Sequence, residues 1–155
     1  MKTTPEEKLN LPTPLNCTCG RLRKLTRRMT SFYEQHMREV GLKLSQYSVL
    51  ANLSAEQQSL AQLAARLDMD RTTLTRSLKP LVEHGWVSEV AGVDARQRLL
   101  VLTPEGKDFR QRAHAHWRQA QLALETHLGR NVVADLNTQL ETLLTQLRPL
   151  LPEEN

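Results

Sequence analysis

The sequence has few of the residues on which several classes of protein depend. It contains only two cysteines, Cys17 and Cys19, and aromatic residues make up 4% of its 155 residues. A bridge between positions i and i+2 would strain the backbone severely, so the two cysteines cannot form a disulfide framework. So few aromatic side chains also argue against a stacking surface for single-stranded nucleic acid.

Long apolar runs are missing too. No stretch approaches the roughly 18 uninterrupted apolar residues of a membrane-spanning helix. The first eight residues, MKTTPEEK, contain no apolar core of a signal peptide. We therefore expect a cytoplasmic protein with reduced thiols and no membrane partner.

The motifs of common enzymes are not found in the sequence. It has no glycine-rich phosphate loop, no nucleophilic serine elbow and no His-Glu-x-x-His pattern. Neither cysteine has an identifiable base at a meaningful spacing, and no second cysteine pair completes a four-ligand zinc site. The chain is therefore expected to be neither an enzyme nor a protein with a metal or cofactor.

Charged residues are present in number and are unevenly distributed. The chain has 21 Lys and Arg against 17 Asp and Glu, a formal net charge of +4 that permits an anionic partner. Residues 1–43 hold nine basic and four acidic side chains, whereas residues 44–102 hold six of each. The positive excess thus lies in the N-terminal third.

Apolar residues spaced by three and four predict helices over most of the chain. Residues 1–14, which include three prolines, are instead expected to form a flexible arm. The first helical stripe starts near Leu15 and ends at Gly41, and Gly129 separates a long fifth helix from a sixth with a heptad pattern. The N-caps expected for the second to fifth helices are Ser45, Ser59, Asp70 and Thr103.

In the fourth helix, Leu74, Leu78, Leu81 and Val82 are expected to face inward, and Pro80 to kink the helix or weaken its last turn.

After this helix, the spacing of the apolar residues changes from a helical to an extended pattern. Residues 86–90 and 98–102 are β-prone and enclose a polar tip, which predicts a two-stranded hairpin. Two short helices, a tight turn and a hairpin with a basic tip follow the order of a winged helix-turn-helix. The expected fold class is therefore mainly α with a small β-hairpin wing.

The fourth helix has a polar face without acidic residues, which suits the major groove of DNA. Arginine can pair bidentately with guanine, threonine can contact bases or the thymine methyl group, and lysine suits phosphate. A solvated helix face is the alternative. The residues expected to contact DNA on this helix are Arg71, Thr72, Thr73, Thr75, Arg76 and Lys79.

The tip of the hairpin supplies a second candidate contact with DNA. Asp94 precedes Arg96 by two residues and can orient it toward the DNA backbone or the minor groove. Arg98 is the next candidate, and an ordinary charged turn is the alternative. Because a protein-binding face would more often include apolar anchors, the composition of the fourth helix favours DNA over a protein-interaction module.

Four segments, taken in order, resemble the MarR family of bacterial transcription regulators: residues 63–81, Gly85-Trp86-Val87, Asp94-Ala95-Arg96 and residues 102–106. The resemblance covers about residues 15–150. It implies a homodimer on a pseudo-palindromic operator, with half-sites about one helical turn apart. It also implies repression that is relieved by a ligand or an oxidant.

The resemblance divides residues 15–155, a single MarR-type domain, into parts. A winged helix-turn-helix lobe would cover residues 44–102, with Ser45 and Gln46 among its DNA contacts, and helices in residues 15–43 and 103–150 would form the dimer. The residues implied in the dimer interface are Leu22, Leu25, Phe32, Trp117, Leu140, Leu143 and Leu147.

Two places could receive a signal. A helix N-terminus and neighbouring cations favour the thiolate form of a cysteine, which makes Cys17 and Cys19 candidate redox sensors. In relatives that sense organic hydroperoxides a reactive cysteine lies near tyrosines. Cys19 and Tyr33 resemble that arrangement, but Leu44 stands where the second tyrosine is expected. Two unreactive thiols at a helix start are the alternative, and the lack of Cys-x-x-Cys argues against a thiol oxidoreductase.

A small-molecule pocket is the other entry point. His114 and Trp117 lie on the long fifth helix, which faces either the dimer core or the cleft beside the lobe. A small aromatic or amphipathic effector could bind between them. The alternative is that both are ordinary interface residues.

Overall fold

The computed structural model describes residues 17–54, 56–94 and 98–150. The expected flexible arm, residues 1–14, and Arg96 lie outside these residues. Within them the chain forms six α-helices, three strands and a single 3₁₀ turn after each of the first and last helices. The elements are α1 (Thr18–Met37), α2 (Leu44–Asn52), β1 (Gln58–Ser59), α3 (Leu60–Leu67), α4 (Arg71–Glu83), β2 (Val87–Ala91), β3 (Arg98–Leu102), α5 (Pro104–Leu128) and α6 (Arg130–Leu147), with 3₁₀ turns at Arg38–Val40 and Arg148–Leu150.

Side-chain caps start three of the helices where the sequence predicts. The Ser59 hydroxyl accepts the backbone N–H of Gln62 at 3.1 Å, and Asp70 accepts that of Thr73 at 2.8 Å. Thr103 does the same for Gly106 at 3.0 Å. Each of these bonds satisfies an N–H that has no partner within its helix, so each fixes the point at which the helix begins.

The start of α2 differs from the expectation. Leu44 is its first helical residue, and the carboxamide oxygen of Gln46 reaches back to accept the backbone N–H of Lys43 at 2.9 Å. Ser45 therefore lies inside the helix, and its predicted role as N-cap is wrong. Gln46 thus supplies the bond that a glutamine at the third helical position makes to the backbone N–H of the N-cap residue.

The core of the lobe lies between α2, α3, α4 and the sheet. Leu50, Leu63, Leu74 and Leu81 are fully buried, and Ala113 of α5 closes the same cluster. The helix α4 continues beyond Pro80 to Glu83. Val82, expected to face inward, is 36% exposed, because the neighbouring Leu81 already faces the core.

The wing is a three-stranded antiparallel sheet rather than a two-stranded hairpin. β2 pairs with β3 as a hairpin, as the sequence predicts, with Val87 opposite Leu102. β1 adds to the other edge of β3 with Gln58 opposite Leu100. A strand of two residues is too short to show any alternation of apolar and polar side chains, which explains why the sequence did not indicate it.

A second, smaller core joins α1, α5 and α6. It consists of Tyr33, Ala120, Leu124 and Val133. Outside it, Leu22, Leu25, Leu143 and Leu147 are 38 to 50% exposed. Phe32 and Leu140 are half-buried. One chain alone thus leaves much of the apolar surface of its terminal helices uncovered.

None of the helices described, from Thr18 to Leu147, combines the length and the apolar character needed to cross a membrane.

Candidate functional site

The polar face of α4 is an exposed surface beside the wing. All six residues expected to contact DNA from this helix are exposed, whereas Leu74, Leu78 and Leu81 on its other side are buried. The N-cap bonds of Asp70 set where the helix starts and therefore which residues face outward. The pKa of Asp70 lies below its ordinary value because Thr73 donates to the carboxylate from both its hydroxyl and its backbone N–H.

Two threonine hydroxyls on this face are already oriented. The Thr73 hydroxyl donates to the Asp70 carboxylate at 2.6 Å, and the Thr75 hydroxyl donates to the carbonyl of Arg71 at 2.7 Å. Each hydroxyl has its proton engaged and can still accept a hydrogen bond. Any base contact from these two side chains therefore uses the oxygen as an acceptor, or the methyl group.

The cations of the lobe differ in their surroundings. Lys79 lies 3.8 Å from Glu83, and Arg98 lies 3.3 Å from Glu89 across the β2–β3 pair. Both pairs are exposed, so each holds its cation by no more than about 1 kcal/mol. Within the part of the chain that is described, no carboxylate lies within 4.0 Å of Arg71 or Arg76. Their guanidinium groups are free to pair with an external acceptor.

The remaining predicted DNA contacts are placed as follows. Thr72 is exposed near the start of α4, and Ser45 is exposed on α2. Gln46 is half-buried and uses its carboxamide oxygen to cap α2. Asp94 is exposed three residues after the end of β2, and its predicted partner Arg96 is outside the described residues. The structure thus brings the α4 face and the base of the wing together, and the tip contact stays a prediction.

A stack of rings anchors the base of the wing to α5. Trp86 lies between His84 and Phe109, with centroid distances of 4.5 and 3.6 Å. The guanidinium of Arg112 covers the same Phe109 ring at 5.5 Å from its centroid. The backbone carbonyl of Trp86 accepts the N–H of Thr103 at 3.1 Å. The end of α4, the first wing strand and α5 are therefore held in one unit, which sequence periodicity did not indicate.

A cleft of about 440 Å³ opens between α2 and α5. It is lined by Tyr47, Ala51, Lys107, Arg110, Gln111 and His114. The Tyr47 hydroxyl and His114 Nδ1 share a hydrogen bond of 2.9 Å, and Arg110 donates to the carbonyl of Leu53 at 2.9 Å. Burial raises the pKa of Tyr47, and the nearby Arg110 charge opposes that shift. The hydroxyl is therefore a neutral group at pH 7.

Of the two pocket residues predicted from the sequence, only His114 lines this cleft. Trp117 lies behind it, half-buried, with its ring stacked at 6.2 Å on Tyr47 and at 5.4 Å on His114. The cations Lys107 and Arg110 were missed, because only the packing of α5 against α2 brings them to Tyr47. Their spacing of three on one helix was the available signal.

The candidate redox residues lie far apart within one chain. Cys17 is the N-cap of α1, where its sulfur accepts the N–H of Gly20 at 3.2 Å, and Cys19 is exposed. Tyr33 donates to the side chain of Gln121, and its pKa is raised by burial and by the charge of Glu125. Fourteen residues of helix separate Cys19 from Tyr33, which is about 21 Å at the usual rise. A single chain does not assemble the arrangement.

Comparison with known proteins places these features in a family. A family model described as the MarR family matches residues 40–98. The uncharacterized HTH-type transcriptional regulator YwoH of Bacillus subtilis is 35% identical over 74 residues, which cover 47% of this chain and 54% of that protein. The chain spans about half the length of the curated relatives it matches.

Solved structures extend the similarity over most of the fold. The transcriptional regulator MosR of M. tuberculosis in complex with DNA is 33% identical, with a TM-score of 0.65 over 82% of this chain and 98% of that one. A cysteine-to-serine mutant of MarR from E. coli complexed with operator DNA is 26% identical, with a TM-score of 0.72 over 81% and 92%. The named relatives are transcriptional regulators, not enzymes.

Proposed function

The chain belongs to the MarR family, and on this premise we propose that it is a DNA-binding transcriptional regulator that represses as a homodimer on a pseudo-palindromic operator. The observation that carries the proposal is the α4 face, which is exposed, contains no acidic residue from Arg71 to Lys79 and lies beside a wing anchored to α5. Arg71 and Arg76 supply base pairing there, and Lys79 supplies a phosphate contact.

A homodimer covers the apolar surface that one chain leaves exposed. Leu22 and Leu25 of α1 and Leu143 and Leu147 of α6 belong to the two helices that terminate the fold. Burying such side chains against a second copy stabilises the dimer by about 25 cal/mol for each Å² of apolar area that is removed from water. Twofold symmetry then presents two α4 faces to two inverted half-sites, which is why the operator would be pseudo-palindromic.

The α2–α5 cleft is the proposed effector site. Lys107 and Arg110 attract an anion, Tyr47 and His114 offer hydrogen bonds, and Trp117 supports both rings from behind. A small aromatic carboxylate meets all three requirements. Helix α2 belongs to the lobe, whereas α5 leads from the lobe to the dimerisation region. A ligand between them can therefore change the orientation of the lobe relative to α5. It relieves repression only if it binds the DNA-incompetent arrangement more tightly.

Thiol oxidation is the second proposed route of release. It requires the partner chain, since Cys19 and Tyr33 lie about 21 Å apart on one α1 helix. The route therefore depends on a dimer in which the thiols of one chain lie near Tyr33 of the other. The route and the cleft are distinguishable, because the first depends on Cys17 and Cys19 and the second on Lys107 and Arg110.

Selection of duplexes from a random pool by the full-length protein tests the proposed function. Enrichment of an inverted repeat with half-sites about one helical turn apart is the expected result. Recovery of no repeated sequence at salt concentrations where the protein is folded and dimeric would contradict it. Binding to the enriched site is then repeated with an organic hydroperoxide and with an aromatic carboxylate, using the wild type, Cys17→Ser/Cys19→Ser and Lys107→Gln/Arg110→Gln proteins.

A further inference from the structure

Helix α1 contains the whole formal net charge of the chain. Residues 18–37 include five Lys and Arg and one acidic residue, Glu34, which amounts to the +4 of all 155 residues. Everything outside α1 therefore sums to zero. The winged segment, residues 44–102, is itself neutral, with six basic and six acidic side chains. Long-range attraction to a polyanion must come mainly from α1.

The cations share one side of the helix. At 100° per residue they fall within an arc of about 160°, on the side away from Tyr33, which is buried against α5. All five are exposed, and from Thr18 to Tyr33 there is no acidic residue. We call this surface the α1 cationic face; it consists of Arg21, Arg23, Lys24, Arg27 and Arg28.

This arrangement is unfavourable for the isolated helix. Arg23 and Arg27, like Lys24 and Arg28, are like charges four residues apart, which repel each other. Three of the cations lie in the first two turns, where the N–H groups of the helix already present positive charge. Among residues 17–54, 56–94 and 98–150, no carboxylate lies within 4.0 Å of any of the five. The charges are thus left without an internal counterpart.

A second copy of the chain does not supply the missing negative charge. Residues 44–102 are neutral, and residues 103–155 hold six basic and seven acidic side chains, of which residues 131–155 hold one basic and four acidic. The most acidic segment that a homodimer could place against the α1 cationic face, residues 131–155, has a net charge of −3, which is less than the five positive charges of the face. The remaining positive charge favours binding of an external polyanion.

We propose that the α1 cationic face binds the phosphate backbone of duplex DNA, next to the bases contacted by the lobe. This inference rests on the proposed function, because that function is the reason for taking DNA as the polyanion. The five cations extend over about 10 Å of helix, and duplex DNA carries one charge per roughly 1.7 Å of its axis, so several phosphates lie within their reach. The face supplies affinity independent of sequence, and α4 supplies the selection of bases.

The test is the salt dependence of binding, measured on the selected site and on a random duplex. Arg21→Gln/Lys24→Gln/Arg28→Gln removes three cations from the face. The control Arg118→Gln/Arg130→Gln/Arg148→Gln removes three exposed cations from α5, from the start of α6, where Arg130 pairs with Glu125, and from the turn after α6. Both variants therefore have the same net charge. Each lost phosphate contact should reduce the slope of log K against log salt by about 0.9. We expect the α1 variant to lose at least two contacts per protomer on both duplexes and the control to lose fewer than one.

The outcomes separate this inference from the proposed function. Slopes that are equal in the two variants would overturn it, as would a wild type that binds no random duplex even at low salt. Binding of the same variants to vesicles of anionic phospholipid is measured as well. If the α1 variant loses binding to the vesicles while its slopes on DNA stay unchanged, the inference is overturned and the face binds a membrane surface instead. If the wild type enriches no repeat but its slope on random DNA still depends on the α1 cations, the proposed function fails and this inference stands. Thermal unfolding should show the α1 variant folded, because removing like charges relieves repulsion within the helix.

Discussion

The ring of Trp86 lies face to face with that of Phe109, with centroids 3.6 Å apart and planes at 8°. Trp86 immediately precedes β2, and Phe109 lies in the second turn of α5. Their contact therefore fixes the wing relative to the long helix that leads away from the lobe.

Phe109→Ala should destabilise the lobe strongly. Removing a buried aromatic ring costs about 3–5 kcal/mol, because the apolar contacts are lost and a cavity remains. Urea unfolding followed by circular dichroism measures the loss. Arg112→Ala, which removes only the guanidinium above the same ring, is the matched control and should cost less than about 1 kcal/mol. Equal, small losses in both variants would show that the stack does not hold the wing.

Gly106→Ala should also destabilise the fold, although alanine favours helices. A Cβ at position 106 would overlap the carbonyl oxygen of Trp86, which is backbone and cannot rotate away. Overpacking of this kind costs about 1–3 kcal/mol, more than the roughly 1 kcal/mol that alanine gains over glycine in a helix. The thermal midpoint should fall, whereas the exposed neighbour Lys107→Ala should leave it nearly unchanged. A rise in the midpoint of Gly106→Ala would contradict the close approach.

Arg76→Ala and Lys79→Ala should affect DNA binding in different ways. Arg76 has no acidic partner among the described residues and is expected to pair with a base, so its loss should cost about 1–3 kcal/mol on the selected site and much less on random DNA. Lys79 is expected to contact phosphate, and its loss should weaken both equally. Fluorescence anisotropy measures the affinity of each variant for the selected site and for the random duplex, and the ratio of the two affinities gives its specificity. Equal losses from both variants on both duplexes would mean that the roles are wrong.

Leu143→Glu/Leu147→Glu should produce a monomer. Both side chains are at least 45% exposed in one chain, so the substitution leaves the fold of that chain intact and places charges in the expected dimer contact. Light scattering coupled to size exclusion gives the mass. The control Val93→Glu substitutes a fully exposed apolar residue beside the wing tip and should remain dimeric. A dimer in the leucine variant would place the interface elsewhere.

The Asp70 carboxylate at the N-cap of α4 should contribute less to the free energy of unfolding at acidic pH. Since the folded pKa of Asp70 is lowered, its contribution to stability is complete above the pKa of the unfolded chain and disappears as pH falls through the folded pKa. The asparagine introduced by Asp70→Asn also caps helices but does not titrate. The stability difference between wild type and variant should therefore favour aspartate at pH 7 and shrink toward pH 3. A difference that stays constant across this range would show that the carboxylate is not perturbed.

Much of the fold could be predicted from the sequence because its signals are local. Ser59, Asp70 and Thr103 act on N–H groups three residues away, and the leucines of α4 recur at the helical period, so neighbouring residues decide each element. Ser45 is not the cap because α2 starts one residue earlier, at Leu44, with Lys43 at the N-cap. β1 was missed because two residues show no period.

The sequence by itself determined the helices, the order of the winged lobe, the acid-free run from Arg71 to Lys79 on α4 and the concentration of charge in α1, since all of these follow from composition and short spacings. Only the tertiary structure decided what lies across the elements. Trp86 and Phe109 are 23 positions apart, and Tyr47 and His114 are 67 apart. A local sequence pattern does not predict such pairs, because the two residues meet only when burial of the common core fixes how α2, the wing and α5 pack together.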